Sequence, residues 1–223
     1  MKILALDTSG DACSVALYDA AAEQLLAEEH VPIERGHAEI LFSQITRATQ
    51  QANVTLKSID RFAVTTGPGT FTGVRIGLSA ARGFALAAKK PLIGINSLEV
   101  VAHGAEVPPS ATIVAAFDAR RGELYVQAFR GSDAIFAPMA TTPASIASTI
   151  SNISNGTVFI IGTGAEILRS ALASVGASAE IASGQALPRA AILARLAAAR
   201  APISEPVMPL YLRAPDAKLP AQR

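Results

Sequence analysis

Gly67-Pro68-Gly69-Thr70-Phe71-Thr72-Gly73-Val74-Arg75-Ile76-Gly77-Leu78 follows an apolar run, Phe62-Ala63-Val64-Thr65-Thr66, and opens a helical pattern from Thr72 to Ala88. Strand, glycine-rich turn and helix in that order is where α/β proteins bring backbone N–H groups close to a ligand or a partner. The glycines permit a tight backbone path, and Pro68 stiffens it. In the helix, Ile76, Ala80, Phe84 and Ala87 form one apolar stripe and Val74, Leu78, Ala81 and Ala85 a second. Each glycine inside a helix costs about 0.5–1 kcal/mol relative to alanine, so Gly73, Gly77 and Gly83 together call for a compensating close approach. A helix apolar on two sides is either buried wholly in its own domain or shared with a partner.

Working outward, Ile3 to Asp7 reads as a buried strand, and Ser9-Gly10-Asp11 turns the chain into a second strand, Ala12 to Tyr18. Gln24 to His30 supplies a third strand. His37 to Ala52 carries a helical stripe at Leu41, Ile45 and Ala48, and Leu92 to Ile95 is a strand followed by a short helix, Leu98 to His103. Val107-Pro108-Pro109-Ser110 marks a break, so residues 1–106 form one lobe and 107–223 a second. The same grammar then restarts. Thr112 to Asp118 is a strand ending in Asp, as Ile3 to Asp7 does, and Glu123 to Arg130 returns from the Ala119-Arg120-Arg121-Gly122 turn. Ile135 to Met139 is the third strand, Ser145 to Ile150 a helix, Val158 to Gly162 a strand and Ala165 to Val175 a helix. Leu187 to Arg200 is an Ala-rich helix, and the Pro-rich tail from Pro206 lies over the surface. The division leaves room for this last helix and tail to pack back on the first lobe.

Composition narrows the function. Of 223 residues, 50% are hydrophobic and 17% charged, enough for a sizeable core, and the net charge is +1. A chain that gripped a nucleic-acid backbone alone would carry a basic stripe, so any nucleic-acid role is shared with another subunit. Cys13 is the one cysteine, which excludes a disulfide framework and a cysteine zinc site. The apolar start breaks at Asp7, too short for a signal peptide or membrane span, and the chain reads as a soluble cytoplasmic protein.

Three turns are candidate sites. Asp7, Thr8 and Ser9 form either a phosphate-side loop or a hairpin turn favoured by its Ser, Gly and Asp content. Asp118 opens the matching turn in the second lobe. Gly162-Thr163-Gly164 could meet a nucleotide, but a tight strand-to-helix turn is the stronger reading. The dinucleotide fingerprint fails at Thr72 and Ile167, and no Lys-Ser/Thr pair follows either glycine run at P-loop spacing. His37 has Leu41 four residues on, so the helix lacks a second metal ligand, and no Ser/His/Asp set stands out.

The run Gly67 to Ala87 resembles the signature of the TsaB (YeaZ) family. The resemblance extends to Ile3–Ser9, His37-Ala38-Glu39-Ile40-Leu41, Asp118 to Tyr125 and Tyr211-Leu212-Arg213, in the expected order. It implies a two-lobed, actin-like and sugar-kinase-like ATPase fold built from ribonuclease H-like lobes. It further implies a non-catalytic subunit of the bacterial machinery that places threonylcarbamoyl on N6 of adenosine 37 in tRNAs reading ANN codons. In that machinery a TsaC-type enzyme makes threonylcarbamoyl-adenylate, a TsaD-type paralogue transfers the group and a TsaE-type ATPase assists. The implied partners are therefore the TsaD-type and TsaE-type subunits, a second copy of the chain when it is alone, and tRNA indirectly; no membrane is involved. The resemblance places the partner interface at His37, Leu41, Ile45, Gly73, Ile76, Gly77, Ala80 and Phe84. Asp7, Thr8, Ser9, Asp118, Gly162 and Gly164 would then be a vestigial nucleotide cleft or one completed at the interface. No cofactor is expected, apart from a nucleotide at the partner interface. The catalytic paralogue's His-x-x-x-His metal motif is interrupted here by Leu41, which also speaks against a metalloprotease. The competing reading is an independent nucleotide-dependent phosphotransferase or ATPase using the lobe cleft, with Asp7 and Asp118 near a metal-bound nucleotide.

Overall fold

The computed structural model describes residues 1–154, 156–202 and 205–213. The first lobe begins with three strands, β1 (Lys2–Gly10), β2 (Ala12–Asp19) and β3 (Gln24–Pro32), and continues through helix α1 (His37–Gln51), β4 (Arg61–Thr65), α2 (Phe71–Ala88), β5 (Leu92–Ile95) and α3 (Ser97–Ala102). Its sheet runs β3-β2-β1-β4-β5, antiparallel among the first three strands and parallel from β1 through β4 to β5. The second lobe repeats the plan with β6 (Thr112–Asp118), β7 (Leu124–Arg130), β8 (Asp133–Ala134), β9 (Met139–Thr141), α4 (Pro143–Ile153), β10 (Val158–Ile161), α5 (Ala165–Ser174) and β11 (Ala179–Ile181). Its order is β11-β10-β6-β7-β8, with β9 also on β7. In both sheets the opening strand lies at the centre, between its own antiparallel hairpin partner and a parallel crossover strand. The repeat expected from two Asp-terminated strands is thus a repeat of topology.

Period-two alternation divides each central strand between two cores. Leu4 and Leu6 of β1 face α1 and α2, together with Cys13, Val15 and Leu17 of β2. Ile3 and Ala5 face the other way, with Ala16 and Tyr18, and are covered by Ala190, Leu193, Ala194 and Ala197 of the last helix, α6 (Ala190–Ala199). The small alanines of α6 let its backbone lie close against the first sheet. In the second sheet Val114, Ala116, Leu124 and Val126 meet α4 and α5, while Ile113, Ala115 and Phe117 meet Leu98, Val101 and Ala102 of α3.

Several elements depart from the sequence reading. Helix α2 starts at Phe71, because the Thr70 side chain caps it by accepting from the Gly73 N–H. The strand expected over Ile135–Met139 is replaced by two short ones flanking Pro138, whose missing N–H does not support a continuous ladder. Strand β11 was not anticipated. Helix α6 begins at Ala190, because Pro188 disfavours helical backbone at Leu187. The tail is more than a surface cover. Val207 is buried in the first lobe's core, its carbonyl accepts from Arg82, and the Leu210 N–H donates to the Thr66 carbonyl at 2.8 Å. Residues 214–223 of the expected tail lie outside the described residues.

One buried cation fixes α6. Arg61, at the start of β4, donates through Nη1 to the carbonyls of Ala197 and, at 2.7 Å, Arg200, at the C-terminal end of the helix. Hydrogen bonds to a charged group contribute about 1.5–3 kcal/mol, so Arg61→Met is expected to lose about that much stability. A lower melting temperature and faster limited proteolysis at α6 check this; a variant with wild-type melting and wild-type digestion rules it out.

Candidate functional site

Two places could carry function: the cleft between the turns of the two sheets, and the outer face of α1 and α2. The cleft has a volume of about 390 Å³. Its walls include Ser9, Gly10, Pro68 and Thr70 on one side and Phe117, Asp118, Arg120 and Thr163 on the other, with Leu187 and Pro188 also lining it.

Of the six cleft residues expected from the sequence, Ser9 and Asp118 line this space, whereas Asp7, Thr8, Gly162 and Gly164 do not. The reason is internal bonding. Asp7 is fully buried, and its Oδ1 accepts from the Ser9 hydroxyl at 2.6 Å, the Thr65 hydroxyl at 2.5 Å and the Ser9 N–H at 3.2 Å. The Ser97 hydroxyl donates in turn to Ser9 Oγ at 2.9 Å. Thr8 donates its hydroxyl to the Gly73 carbonyl at 2.7 Å, and the Thr70 N–H of the signature turn donates to the Ser9 carbonyl at 2.7 Å. Burial pushes the Asp7 carboxyl above the usual range, opposed by the bonds from Ser9 and Thr65, and among the described residues its Oδ2 has no partner. The groups expected to face a phosphate therefore hold the first lobe together.

Gly162 and Gly164 are the tight turn that the residues alone favoured. A Cβ on Gly162 would stand 2.3 Å from the Ala116 carbonyl oxygen, and one on Gly164 would stand 2.7 Å from Leu124 Cδ2. Asp118 is half-buried and accepts from the Arg120 N–H at 2.8 Å. A Cβ on Gly10 would already lie 2.9 Å from Leu187 Cδ2, so an apolar side chain sits against the turn where a phosphate would approach. This donor set does not fit a metal-bound nucleotide held between Asp7 and Asp118. Among the described residues no group of three or more His, Cys, Asp and Glu side chains is placed to hold a metal ion. Burial, with the Asp7 charge adding, pushes the Cys13 thiol up to about 12, which leaves it a core residue rather than a nucleophile.

The eight interface residues expected from the sequence fall on two sides of the helix pair. His37, Leu41 and Ile45 of α1 are buried in their own lobe, and His37 Nε2 lies 2.9 Å from the Gly10 carbonyl oxygen. Gly73 and Gly77 do give a close approach, but to β1 of the same chain: their added Cβ atoms would stand 2.0 Å from Thr8 O and 2.7 Å from Thr8 Oγ1. These five are the inner side of the helix pair. Ile76, Ala80 and Phe84 are the half-exposed outer side.

That outer side continues into residues the sequence reading missed. Phe42 of α1 and Phe71 and Leu86 of α2 are 57%, 63% and 82% exposed. Phe84 joins inside to outside. Its ring stacks on buried Phe62 at 6.0 Å and tilts against Phe42 at 6.0 Å. Between the helices runs a groove walled by Ala38, Phe42, Phe71, Ile76 and Ala80, with Leu41 at its floor and Arg75 at its edge. The available signal was Phe42 itself, an aromatic standing off the inward Leu41–Ile45–Ala48 stripe and pointing to a second apolar side of α1.

The model of the family described as "TsaD: tRNA N6-adenosine threonylcarbamoyltransferase" matches residues 31–218. The tRNA threonylcarbamoyladenosine biosynthesis protein TsaB of Escherichia coli (strain K12) is 39% identical over 127 residues, 56% of this chain and 53% of that protein. The chain spans about half the length of the curated relatives it matches. The solved structure of YeaZ from Pseudomonas aeruginosa superposes with a TM-score of 0.75 at 28% identity, covering 95% of this chain and 99% of that one. Component A of the Acidaminococcus fermentans (R)-2-hydroxyglutaryl-CoA dehydratase superposes at 0.50 with 12% identity over 90% of this chain and 100% of that one, a likeness of fold alone. The architecture is two α/β lobes, each built on a central β-sheet, and the dehydratase component shares that fold. Among the described residues no helix is long and apolar enough to cross a membrane. The chain belongs to the TsaD-related tRNA N6-adenosine threonylcarbamoyltransferase family, and within it to the TsaB/YeaZ branch.

Proposed function

We propose that this chain is a non-catalytic docking subunit of the tRNA threonylcarbamoylation machinery, which seats a TsaD-type transferase on the outer face of α1 and α2. The observation that carries the reading is the groove between those helices, where exposed Phe42 and Phe71 flank half-exposed Ile76, Ala80 and Phe84. A contiguous apolar face of this kind is the usual mark of a protein–protein contact. Support also comes from the cleft, where Asp7 bonds to Ser9 and Thr65 and Thr8 bonds to the signature helix at Gly73, so that of these three only Ser9 lines the open space. In this reading the chain contributes a rigid surface, the transferase contributes the chemistry, and tRNA and a TsaE-type ATPase engage the assembly. Alone, the same face pairs two copies of the chain.

Reconstitution tests the proposal. TsaC-, TsaD- and TsaE-type proteins are expected to modify tRNA only when this chain is added, and the isolated chain is expected to give no heat of binding and no turnover with ATP and Mg²⁺. Full modification in its absence, or ATP turnover by the chain alone, defeats the reading.

A further inference from the structure

We infer that Arg75 is the polar anchor of the docking face, a guanidinium held by the C-terminal segment that takes a carboxylate from the incoming partner. The inference rests on the docking face proposed above and adds to it a specific partner chemistry.

Arg75 is exposed on the outer side of α2, at the edge of the groove that contains Ile76 and Ala80. Its guanidinium carbon lies 3.1 Å from the ring centroid of Phe71 and 5.1 Å from that of Tyr211. The two rings are themselves stacked, 5.9 Å apart and 27° from parallel. Stacking occupies a flat face of the guanidinium and leaves its N–H edge for hydrogen bonding. Among the described residues that edge makes one long contact, Nη1 to the Phe71 carbonyl at 3.4 Å. Arg47, Arg169 and Arg189 each reach a glutamate in the same chain, whereas among the described residues no carboxylate pairs with Arg75. The cation is fixed in place and its complement is missing.

Tyr211 reaches Phe71 because the C-terminal segment is tied down at several points. Val207 is buried and receives Arg82, Leu210 bonds to Thr66, and Arg213 pairs with Glu123 of the second lobe while lying over Tyr125. The segment crosses the signature turn and ends its described course on the other lobe, placing Tyr211 beside the groove on the way. Ordering the arginine before the partner arrives lowers the conformational entropy lost on binding. A planar fork beside an apolar groove suits a carboxylate, because two parallel N–H donors match its two oxygens and the seated partner excludes water from the pair. The occupant is therefore a partner surface with an apolar ridge and an Asp or Glu at its end.

The experiment is calorimetric titration of the TsaD-type partner into the full chain at low and high salt, comparing wild type with Arg75→Gln, Arg75→Lys, Tyr211→Ala and Ala80→Glu. Arg75→Gln is expected to weaken binding on the order of tenfold and to flatten its salt dependence. Arg75→Lys keeps the charge but loses the stacked fork, so most of the weakening remains, and Tyr211→Ala gives a smaller loss in the same direction. Arg75 is exposed, so melting curves of its variants are expected to match the wild type. If Ala80→Glu abolishes binding while Arg75→Gln keeps wild-type affinity and salt dependence, the docking face stands and the anchor is wrong. If Ala80→Glu binds normally, the docking face itself is wrong. If Arg75→Gln alters only self-association of the chain, the carboxylate belongs to a second copy and the inference is overturned.

Discussion

Gly73→Ala is expected to be among the most damaging single-methyl changes in this chain, while Gly83→Ala, ten residues along the same helix, is expected to stabilise it. The contrast follows from what each added Cβ meets. At Gly73 it would lie 2.0 Å from the Thr8 carbonyl oxygen and 2.5 Å from Thr70 Oγ1, the atom that caps the helix. Neither is the free end of a flexible side chain. Thr8 O belongs to the central strand β1, and Thr70 is fixed by its own N–H bond to Ser9. The methyl can be admitted only by moving the first turn of α2 off the sheet, which breaks the cap and the Thr8–Gly73 bond together. Overpacking costs about 1–3 kcal/mol and more where backbone must shift, so about 3 kcal/mol is expected here. For a chain of this size that is a fall in melting temperature of roughly 6–12 °C. At Gly83 no atom of the described residues lies within 4 Å of the added carbon. There the better helix propensity of alanine adds about 0.5–1 kcal/mol, a rise of roughly 1–4 °C. Thermal melts of the two variants decide it. Equal effects would mean that Gly73 does not pack on Thr8.

The same pair of glycines shows where the sequence was readable and where it was not. Helix α2 was legible because its two stripes and its Gly-Pro-Gly entry are local patterns, and β1 and β6 were legible as apolar runs ending in Asp. That Gly73 and Gly77 demand a close approach was also legible, although the same demand was read at Gly83, where no described atom lies within 4 Å of an added Cβ. What they approach was not, since Thr8 is a tertiary neighbour and spacing within a helix does not name the surface opposite it. The interface assignment at Leu41 and Ile45 came from the family resemblance; in the structure both lie on the side of α1 that meets the sheet, as a clean stripe on a helix lying on a sheet does. The exposed side is patchier, with Phe42 set among polar residues. Strand β11 was missed because Ala179–Ile181 is three residues long and largely exposed, carried by pairing with β10. For the C-terminal segment the sequence left room for packing back on the first lobe but did not name the contacts, because those of Val207, Leu210 and Tyr211 are long-range and a Pro-rich composition conceals them.

Ala80→Glu is expected to abolish capture of the TsaD-type partner while leaving the chain folded. Ala80 lies on the groove wall beside Ile76, only partly buried, so in the free chain a glutamate there can turn its carboxylate to water. Surface changes of this kind shift stability by about 0.5 kcal/mol or less, and the melting temperature should stay within roughly 2 °C of the wild type. Docking removes that escape. A partner helix seated between Phe42 and Ile76 would bury the carboxylate among apolar side chains, where an uncompensated charge costs about 3 kcal/mol or more, over a hundredfold in affinity. Arg75 stands five residues earlier on α2 with its guanidinium over Phe71, so it is committed to that stack at the groove's edge and does not neutralise the new charge without leaving it. Self-association should fail together with heterodimer formation, because the proposed function puts both on the same face. Light scattering and calorimetry on one preparation separate the cases. Loss of both assemblies with an unchanged melt assigns the α1/α2 groove as the shared contact. Retention of the transferase complex by a folded Ala80→Glu chain places the docking surface elsewhere, and loss of folding would mean that Ala80 belongs with the inward residues Gly77 and Ala81 instead of with Ile76 and Phe84.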